Sequence, residues 1–147
     1  MRVHLGSDHA AIDLRRELAA ALREGNHELA SEVGPASPTD SVDYPDIASE
    51  VCRRVLADPG SVGVLTCGTG QGMAMTANKI AGIRAAVVLD GFSARMAREH
   101  NEANVLCLGG RVAGVELAKM LLQTFLTAQF AGGRHARRVA KIDAAGG

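Results

Sequence analysis

Short apolar runs alternate with amphipathic stretches along the whole chain. The apolar runs predict five strands, at residues 2–6, 28–33, 61–65, 84–89 and 104–108. The intervening stretches predict helices at residues 10–24, 45–57, 73–80, 92–101 and 115–130, and a basic tail helix from 134 to about 142. This order predicts a parallel sheet in which each strand is followed by a helix.

Within the predicted helices, apolar side chains recur at the spacing of one helical face. Two such stripes are Leu14, Leu18 and Leu22 in the first helix and Leu117, Leu121, Phe125 and Ala128 in the fifth. Residues 34–45 hold three prolines among polar residues, which predicts a loop, with Pro45 in the first turn of the next helix. The sequence contains no repeat and no linker that would divide it.

The strand–helix alternation predicts one doubly wound α/β domain over residues 1–147, with a C-terminal tail at about 132–147. The carboxyl ends of parallel strands share one edge of the sheet, where ligands bind. We therefore expect the turns that follow the strands to meet there. They contain Asp8, His9, residues 67–72, Asp90 and residues 109–111.

Composition excludes several classes of protein. Sixteen basic and sixteen acidic residues give no net charge, and aromatic residues are only 3%, which argues against nucleic-acid and membrane-surface binding. We find no long apolar run and no leader at Met1, so we expect a cytoplasmic protein. Cys52, Cys67 and Cys107 are too scattered for a disulfide framework or a CxxC metal site.

The stretch at residues 66–77 carries the strongest chemical signal. It places Cys67 and the glycines Gly68, Gly70 and Gly72 between a strand and a helix. Glycines allow close approach to an anion, and the amides at a helix start favour a thiolate, so Cys67 is a candidate base. The alternative is a tight turn around an inert buried cysteine. A nucleotide site is disfavoured, because Met73 breaks the GxGxxG pattern and no P-loop ending follows.

The remaining polar candidates each allow a structural interpretation. Asp8 and His9 could form a polar turn with a helix cap, and His100 with Asn101 could form a polar helix end. No histidine or carboxylate spacing suits a metal. His135 is expected to face solvent. The two arginines four residues apart in the tail, Arg134 and Arg138, share a helix face and could form surface ion pairs or bind a phosphate.

Eight short motifs occur in an order that resembles the type B ribose-5-phosphate isomerase family, which includes the subunits of galactose-6-phosphate isomerase. They are GSDH at 6–9, DYP at 43–45, CGTGQG at 67–72, ANK at 77–79, GIR at 82–84, EHN at 99–101, GGR at 109–111 and GGRH at 132–135. The resemblance covers residues 3 to about 142 and implies a Rossmann-like three-layer α/β/α fold with a five-stranded parallel sheet.

The resemblance also implies residue roles. Cys67 resembles the base that moves a proton between C2 and C1, residues 68–72 resemble the loop that holds the enediolate oxygen, and His100 resembles the acid that opens the furanose ring, with Asp8 beside it. The implied substrate contacts are Asp8, His9, Tyr44, Gly68, Thr69, Gly70, Gln71, Gly72, Asn101, Arg111, Arg134 and Arg138. Thr69 counts as catalytic through its place in the loop. Members that lack the cysteine use a nearby glutamate, but this chain has Met73 there.

The implied activity is aldose–ketose isomerisation of a sugar phosphate without metal or cofactor, most simply ribose 5-phosphate to ribulose 5-phosphate in the pentose phosphate pathway. Galactose, allose or tetrose phosphates are alternative substrates, and a non-catalytic phosphate- or nucleotide-binding module is the alternative of a different class. The resemblance implies a homodimer, or a tetramer in some members, with sites at the interface. We expect His100 or the tail arginines to reach the neighbouring subunit's site.

Overall fold

A computed structural model describes residues 1–146 of the chain, so that Gly147 of the predicted tail lies outside the described residues. The strands are β1 (Arg2–Ser7), β2 (Glu28–Val33), β3 (Val62–Cys67), β4 (Ala85–Val87) and β5 (Val105–Gly109). The α-helices are α1 (Ile12–Glu24), α2 (Tyr44–Ala57), α3 (Gln71–Ala77), α4 (Gly91–Glu99), α5 (Val115–Thr127) and α6 (Arg134–Ala145). One 3-10 turn, His9–Ala11, precedes α1.

All five strands pair in parallel, in the order β2-β1-β3-β5-β4. The chain builds outward from β1 to β2, then returns across β1 to add β3. The carboxyl ends of β1 and β3 therefore flank the point where the strand order reverses, which is the usual ligand crevice of such a sheet. The predicted parallel α/β architecture is confirmed.

The core has two layers, one on each face of the sheet. In β3, Val62 and Val64 point into the layer formed with α1, α4 and α5, whereas Leu65 and Cys67 point into the layer formed with α2 and α3. Successive strand residues face opposite sides of a sheet, so a strand buried on both faces reads as a continuous apolar run. The predicted three-layer arrangement is confirmed.

Several predicted boundaries are wrong, and one predicted stripe is correct only in part. β4 is only three residues long, and Leu89, assigned to it from the sequence, is 53% exposed. α3 begins at Gln71 and ends at Ala77, two and three residues earlier than predicted. α5 ends at Thr127, and Leu117 is 37% exposed. Of the predicted stripe, Leu121 and Phe125 are buried, and Ala118, Leu122 and Leu126 complete the buried face of α5.

The tail helix α6 packs on its own chain. The N–H of Ala131 donates to the carbonyl of Glu99 at 2.9 Å, just before the helix begins. At the far end, the guanidinium of Arg84 donates to the carboxylate of Asp143 at 2.9 Å. Within residues 1–146, no helix is long and apolar enough to cross a membrane.

Candidate active site

A depression of about 350 Å³ opens at the carboxyl ends of β1, β3 and β5. Its lining consists of Asp8, His9, Ala10, Tyr44, Cys67, Gly68, Thr69, Gly72 and Arg111. The structure therefore brings together side chains from four separate parts of the sequence at the predicted edge. A larger groove of about 460 Å³ lies between residues 78–86 and α6, away from the thiol and the glycine turn.

The Cys67 thiol lies at the floor of this depression, as the last residue of β3. Its side chain is almost buried, at 5% exposure, and Sγ accepts a hydrogen bond from the N–H of Gly70 at 3.1 Å. Gly70 has φ of +82°, a conformation that glycine adopts at little cost and that turns its N–H back toward the sulfur. This hydrogen bond ties the sulfur to the glycine turn.

The other two cysteines lie in the apolar layer beneath Cys67. Burial raises the pKa of the Cys52 thiol to about 12. Burial also raises the pKa of Cys107, with a smaller contribution from the neighbouring Cys52 and Cys67. Both thiols are therefore protonated and poorly nucleophilic at neutral pH.

The walls of the depression are set by close approaches to the glycine turn. The Tyr44 ring lies so close to Gly72 that a Cβ on Gly72 would collide with it. The guanidinium of Arg111 lies over Gly68, where a Cβ would come within 3.1 Å of Nη1. Arg111 thus places positive charge in the depression that Cys67 also lines, and the absence of a side chain at Gly68 leaves room for it.

Asp8 and His9 form the wall at the end of β1. Asp8 is 7% exposed, and its Oδ1 accepts from the N–H of Ala10 at 2.9 Å, so the predicted helix-cap role is confirmed. His9 Nδ1 accepts the backbone N–H of Val42 at 3.2 Å. Because a backbone amide can only donate, Nδ1 carries no proton, which leaves Nε2–H as the donor of His9.

Not all predicted residues line this depression. Gly70 is buried at the start of α3, Gln71 is the exposed first residue of that helix, and Asp90 caps α4 through the N–H of Ser93. A second group lies where α4 ends and α6 begins. It contains His100, Asn101, Arg134 and Arg138, none of which is among the residues that line the depression.

The second group adjoins His135, whose predicted exposure to solvent is wrong. The basic tail predicts that His135 faces solvent, but this side chain is only 8% exposed. Its ring stacks on the ring of His100, with centroids 4.1 Å apart and planes 10° from parallel. The burial of His135 could have been predicted from the spacing of the tail. His135 lies four residues before the apolar Val139, and both are on the buried face of α6.

Neither group has the composition of a metal centre. Within residues 1–146, no three His, Cys, Asp or Glu side chains cluster closely enough to hold a metal ion. A reaction without metal stays a prediction, which a chelator can test.

The chain matches the family model described as Ribose/Galactose Isomerase over residues 3–142. It is 43% identical to ribose-5-phosphate isomerase B of Escherichia coli over 143 residues, covering 97% of this chain and 95% of that protein. It is 38% identical to D-erythrulose-4-phosphate isomerase of Pectobacterium atrosepticum, covering 97% and 93%. The solved structure of ribose-5-phosphate isomerase B of Clostridium thermocellum superposes with a TM-score of 0.94 at 45% identity, covering 99% and 97%.

Proposed function

The chain belongs to the ribose/galactose isomerase family of sugar-phosphate isomerases, and we propose that it converts ribose 5-phosphate to ribulose 5-phosphate with Cys67 as the base. One observation carries this proposal above the others. The only thiol of residues 1–146 at the ligand edge of the sheet receives a backbone N–H on sulfur and lies in the depression that also holds His9 and Arg111.

The reaction begins with ring opening. His100 donates a proton to the ring oxygen as the C1–O4 bond breaks, and the C1 hydroxyl loses its proton to give the aldehyde. Asp8 stands in the depression as a carboxylate that can accept or hold that proton. An acid at the ring oxygen and a base at the C1 hydroxyl allow the bond to break without a free ion forming.

Proton transfer between the carbons follows. The Cys67 thiolate removes the C2 proton, the C2–H bonding pair becomes the C1–C2 double bond, and the C1 oxygen takes the negative charge. The O2 proton then moves to O1, the thiol returns its proton to C1, and C2 becomes the carbonyl. Each proton and electron pair is accounted for without an added oxidant or metal.

The developing oxyanion requires donors that are already in place. Residues 68–70 lead into α3, where the N–H of Gly70 donates to Cys67 Sγ and that of Gln71 donates to Thr69 Oγ1 at 3.3 Å, so the proposed oxyanion donors are the other amides of residues 68–72. Amides fixed by a glycine turn stabilise such an anion without reorganising, and this stabilisation commonly supplies the greatest part of the rate enhancement in catalysis of this kind. Thr69 and Arg111 flank the same space.

The phosphate needs an anchor far from the reacting carbons. His9 offers Nε2–H from one side of the depression. We assign the remaining phosphate contacts to Arg134 and Arg138, and a further substrate contact to Asn101; all three residues are exposed in this chain. Binding energy from the phosphate then orients C1 and C2 at the thiol.

These two groups of residues are best joined by dimer formation. The Cys67 group lies at the sheet edge, whereas the His100 and arginine group lies at the α4–α6 junction. Phe92 on α4 is 66% exposed and Val112 before α5 is 53% exposed, which gives apolar surface for a partner to cover. We propose a homodimer in which each site combines the Cys67 group of one subunit with the second group of the other.

Relatives of this chain are named for different sugar phosphates. The number of carbons in the substrate of this chain is therefore a separate part of the proposal. The test is a panel of tetrose, pentose and hexose phosphates assayed for ketose formation at equal concentration. We expect the highest kcat/KM for ribose 5-phosphate. A higher kcat/KM for a tetrose or hexose phosphate would show that the proposed substrate is wrong and that the proposed isomerisation is right. No turnover of any member, with phosphate still bound, would indicate a binding module instead.

A further inference from the structure

The stacked ring of His135 has no role in the proposed reaction steps. Resting on the proposed function, we propose that His135 is a positioning residue, whose ring holds the imidazole of His100 in the orientation needed to donate a proton to the sugar ring oxygen. It would act through His100 and would not contact the substrate.

The geometry of the α4–α6 junction supports this assignment. The rings of His100 and His135 lie 4.1 Å apart and 10° from parallel, which is a face-to-face stack. His100 caps the end of α4, with its N–H donating to the carbonyl of Met96 at 2.9 Å. The bond from Ala131 to Glu99 ties the chain before α6 to the residue next to His100. The backbone on both sides of the stack is thereby fixed.

The stack limits what the His100 side chain can do. The end of a helix leaves a side chain several rotamers, and a stacked partner selects one of them. One face of the His100 ring is covered by His135, so the edges that bear the nitrogens remain the part available to a ligand. An acid that is held in one orientation transfers its proton more efficiently than one that samples several.

The charge of His135 suits this role. Its burial, followed by the positive charge of His100, Arg134 and Arg138, lowers its pKa. His135 is therefore neutral at neutral pH, so it places no positive charge against the His100 ring.

The test separates ring opening from proton transfer. Ribose 5-phosphate is a closed furanose and must be opened, whereas ribulose 5-phosphate is acyclic because its 5-oxygen carries the phosphate. The forward reaction needs both steps. Exchange of the C1 proton of ribulose 5-phosphate with deuterium from D2O, followed by NMR, needs the base and the oxyanion donors but no ring opening.

We expect His135→Ala to slow turnover of ribose 5-phosphate by about tenfold to a hundredfold, the cost of a misplaced catalytic group. Exchange on ribulose 5-phosphate should stay within about twofold of wild type, because Cys67 and the glycine turn are untouched. His135→Phe retains a flat neutral ring and should recover most of the forward rate. If His135→Ala does not fold by circular dichroism, His135→Gln, which lacks the ring, replaces it.

Val139→Ala is the matched control, since His135 and Val139 are the two buried residues of α6. It loosens the same helix without removing the ring, and it should affect both reactions equally. The proposal is overturned if His135→Ala leaves the forward rate unchanged or lowers both reactions alike. It is also overturned if Val139→Ala slows turnover of ribose 5-phosphate without slowing exchange on ribulose 5-phosphate. A forward rate of His135→Phe as low as that of the ring-free variant would overturn it too. Loss of exchange in the wild-type protein would instead defeat the proposed function itself.

Discussion

At the scale of single residues, the three cysteines differ in their suitability as a base because the surroundings of each sulfur differ. Cys52 and Cys107 lie in apolar surroundings that favour the neutral thiol. Cys67 lies at the end of its strand and receives the N–H of Gly70. Position in the fold, and not residue type, therefore separates a candidate base from two packing residues.

Gly70 holds the turn that directs its N–H to the sulfur. Its φ is +82°, and a Cβ would lie 3.1 Å from the backbone of Leu108. We predict that Gly70→Ala lowers the free energy of unfolding by about 1–2 kcal/mol from the left-handed conformation alone, with a further loss from the collision. Turnover should fall as well. Denaturant unfolding and the isomerase assay measure the two effects.

Gly60 provides the matched control. It has a similar φ of +86° but nothing within 4 Å of its Cβ position. Gly60→Ala should therefore show the conformational cost with wild-type turnover. Equal losses of stability and of turnover in the two variants would show that the turn at Gly70 has no special role.

The role of a single residue could be predicted from the sequence when that role depends on its sequence neighbours. The glycine turn, Cys67 and the Asp8 cap are read from adjacent residues, and the structure places them at one edge of the sheet. The stack of His100 on His135 depends on how α6 packs across α4, 35 positions apart in sequence. That contact is tertiary, so the basic composition of the tail pointed wrongly to solvent.

At the scale of elements, the tail helix α6 decides where the arginines lie. Its buried face docks on the chain through His135 and Val139, which turns Arg134 and Arg138 outward. No carboxylate pairs with either arginine within residues 1–146. An anionic ligand is the counter-ion we expect for them.

We predict that Arg134→Ala or Arg138→Ala weakens the binding of ribose 5-phosphate and of inorganic phosphate together. Each charge-assisted contact contributes about 1.5–3 kcal/mol, or roughly tenfold to a hundredfold in affinity. Calorimetric titration with both ligands measures this. Arg137→Ala, an exposed arginine on the same helix, should leave both affinities unchanged. Unchanged phosphate affinity in both test variants would show that these arginines are solvent-exposed surface residues that do not bind the phosphate.

Elements were predictable from the sequence in type and order, but less so at their ends. The apolar period predicted all five strands and the helices between them. It placed β4 and α3 imprecisely. The edge strand β4 pairs with β5 only from Ala85 to Val87, although β5 continues to Gly109, and α3 starts inside the glycine turn. Strand order could not be derived, since it depends on long-range pairing that the local pattern does not encode.

At the scale of the whole molecule, the proposed site requires two subunits. We predict that mixing inactive Cys67→Ala with inactive His100→Ala, under conditions of subunit exchange, restores activity. Random exchange makes about half of the dimers mixed, each with one intact site, so about a quarter of wild-type activity is expected. Exchange is verified by mass spectrometry of differently tagged subunits.

Activity that stays at the level of the separate variants, with exchange proven, would show that Cys67 and His100 serve one site from one chain. A protein that remains monomeric at assay concentrations would defeat the shared site altogether. The wild-type protein mixed with tagged wild type serves as the control for losses caused by the exchange conditions.

The central claim is that the Cys67 thiol moves the proton without a metal. The most direct measurement is turnover of ribose 5-phosphate by EDTA-treated wild type, Cys67→Ala and the buried-thiol control Cys52→Ala. We predict full activity for treated wild type, near-wild-type activity for Cys52→Ala and a loss of about a hundredfold to ten-thousandfold for Cys67→Ala. Retention of more than about a tenth of the activity in Cys67→Ala would place the base elsewhere, and an EDTA loss restored by a divalent cation would contradict the metal-free mechanism.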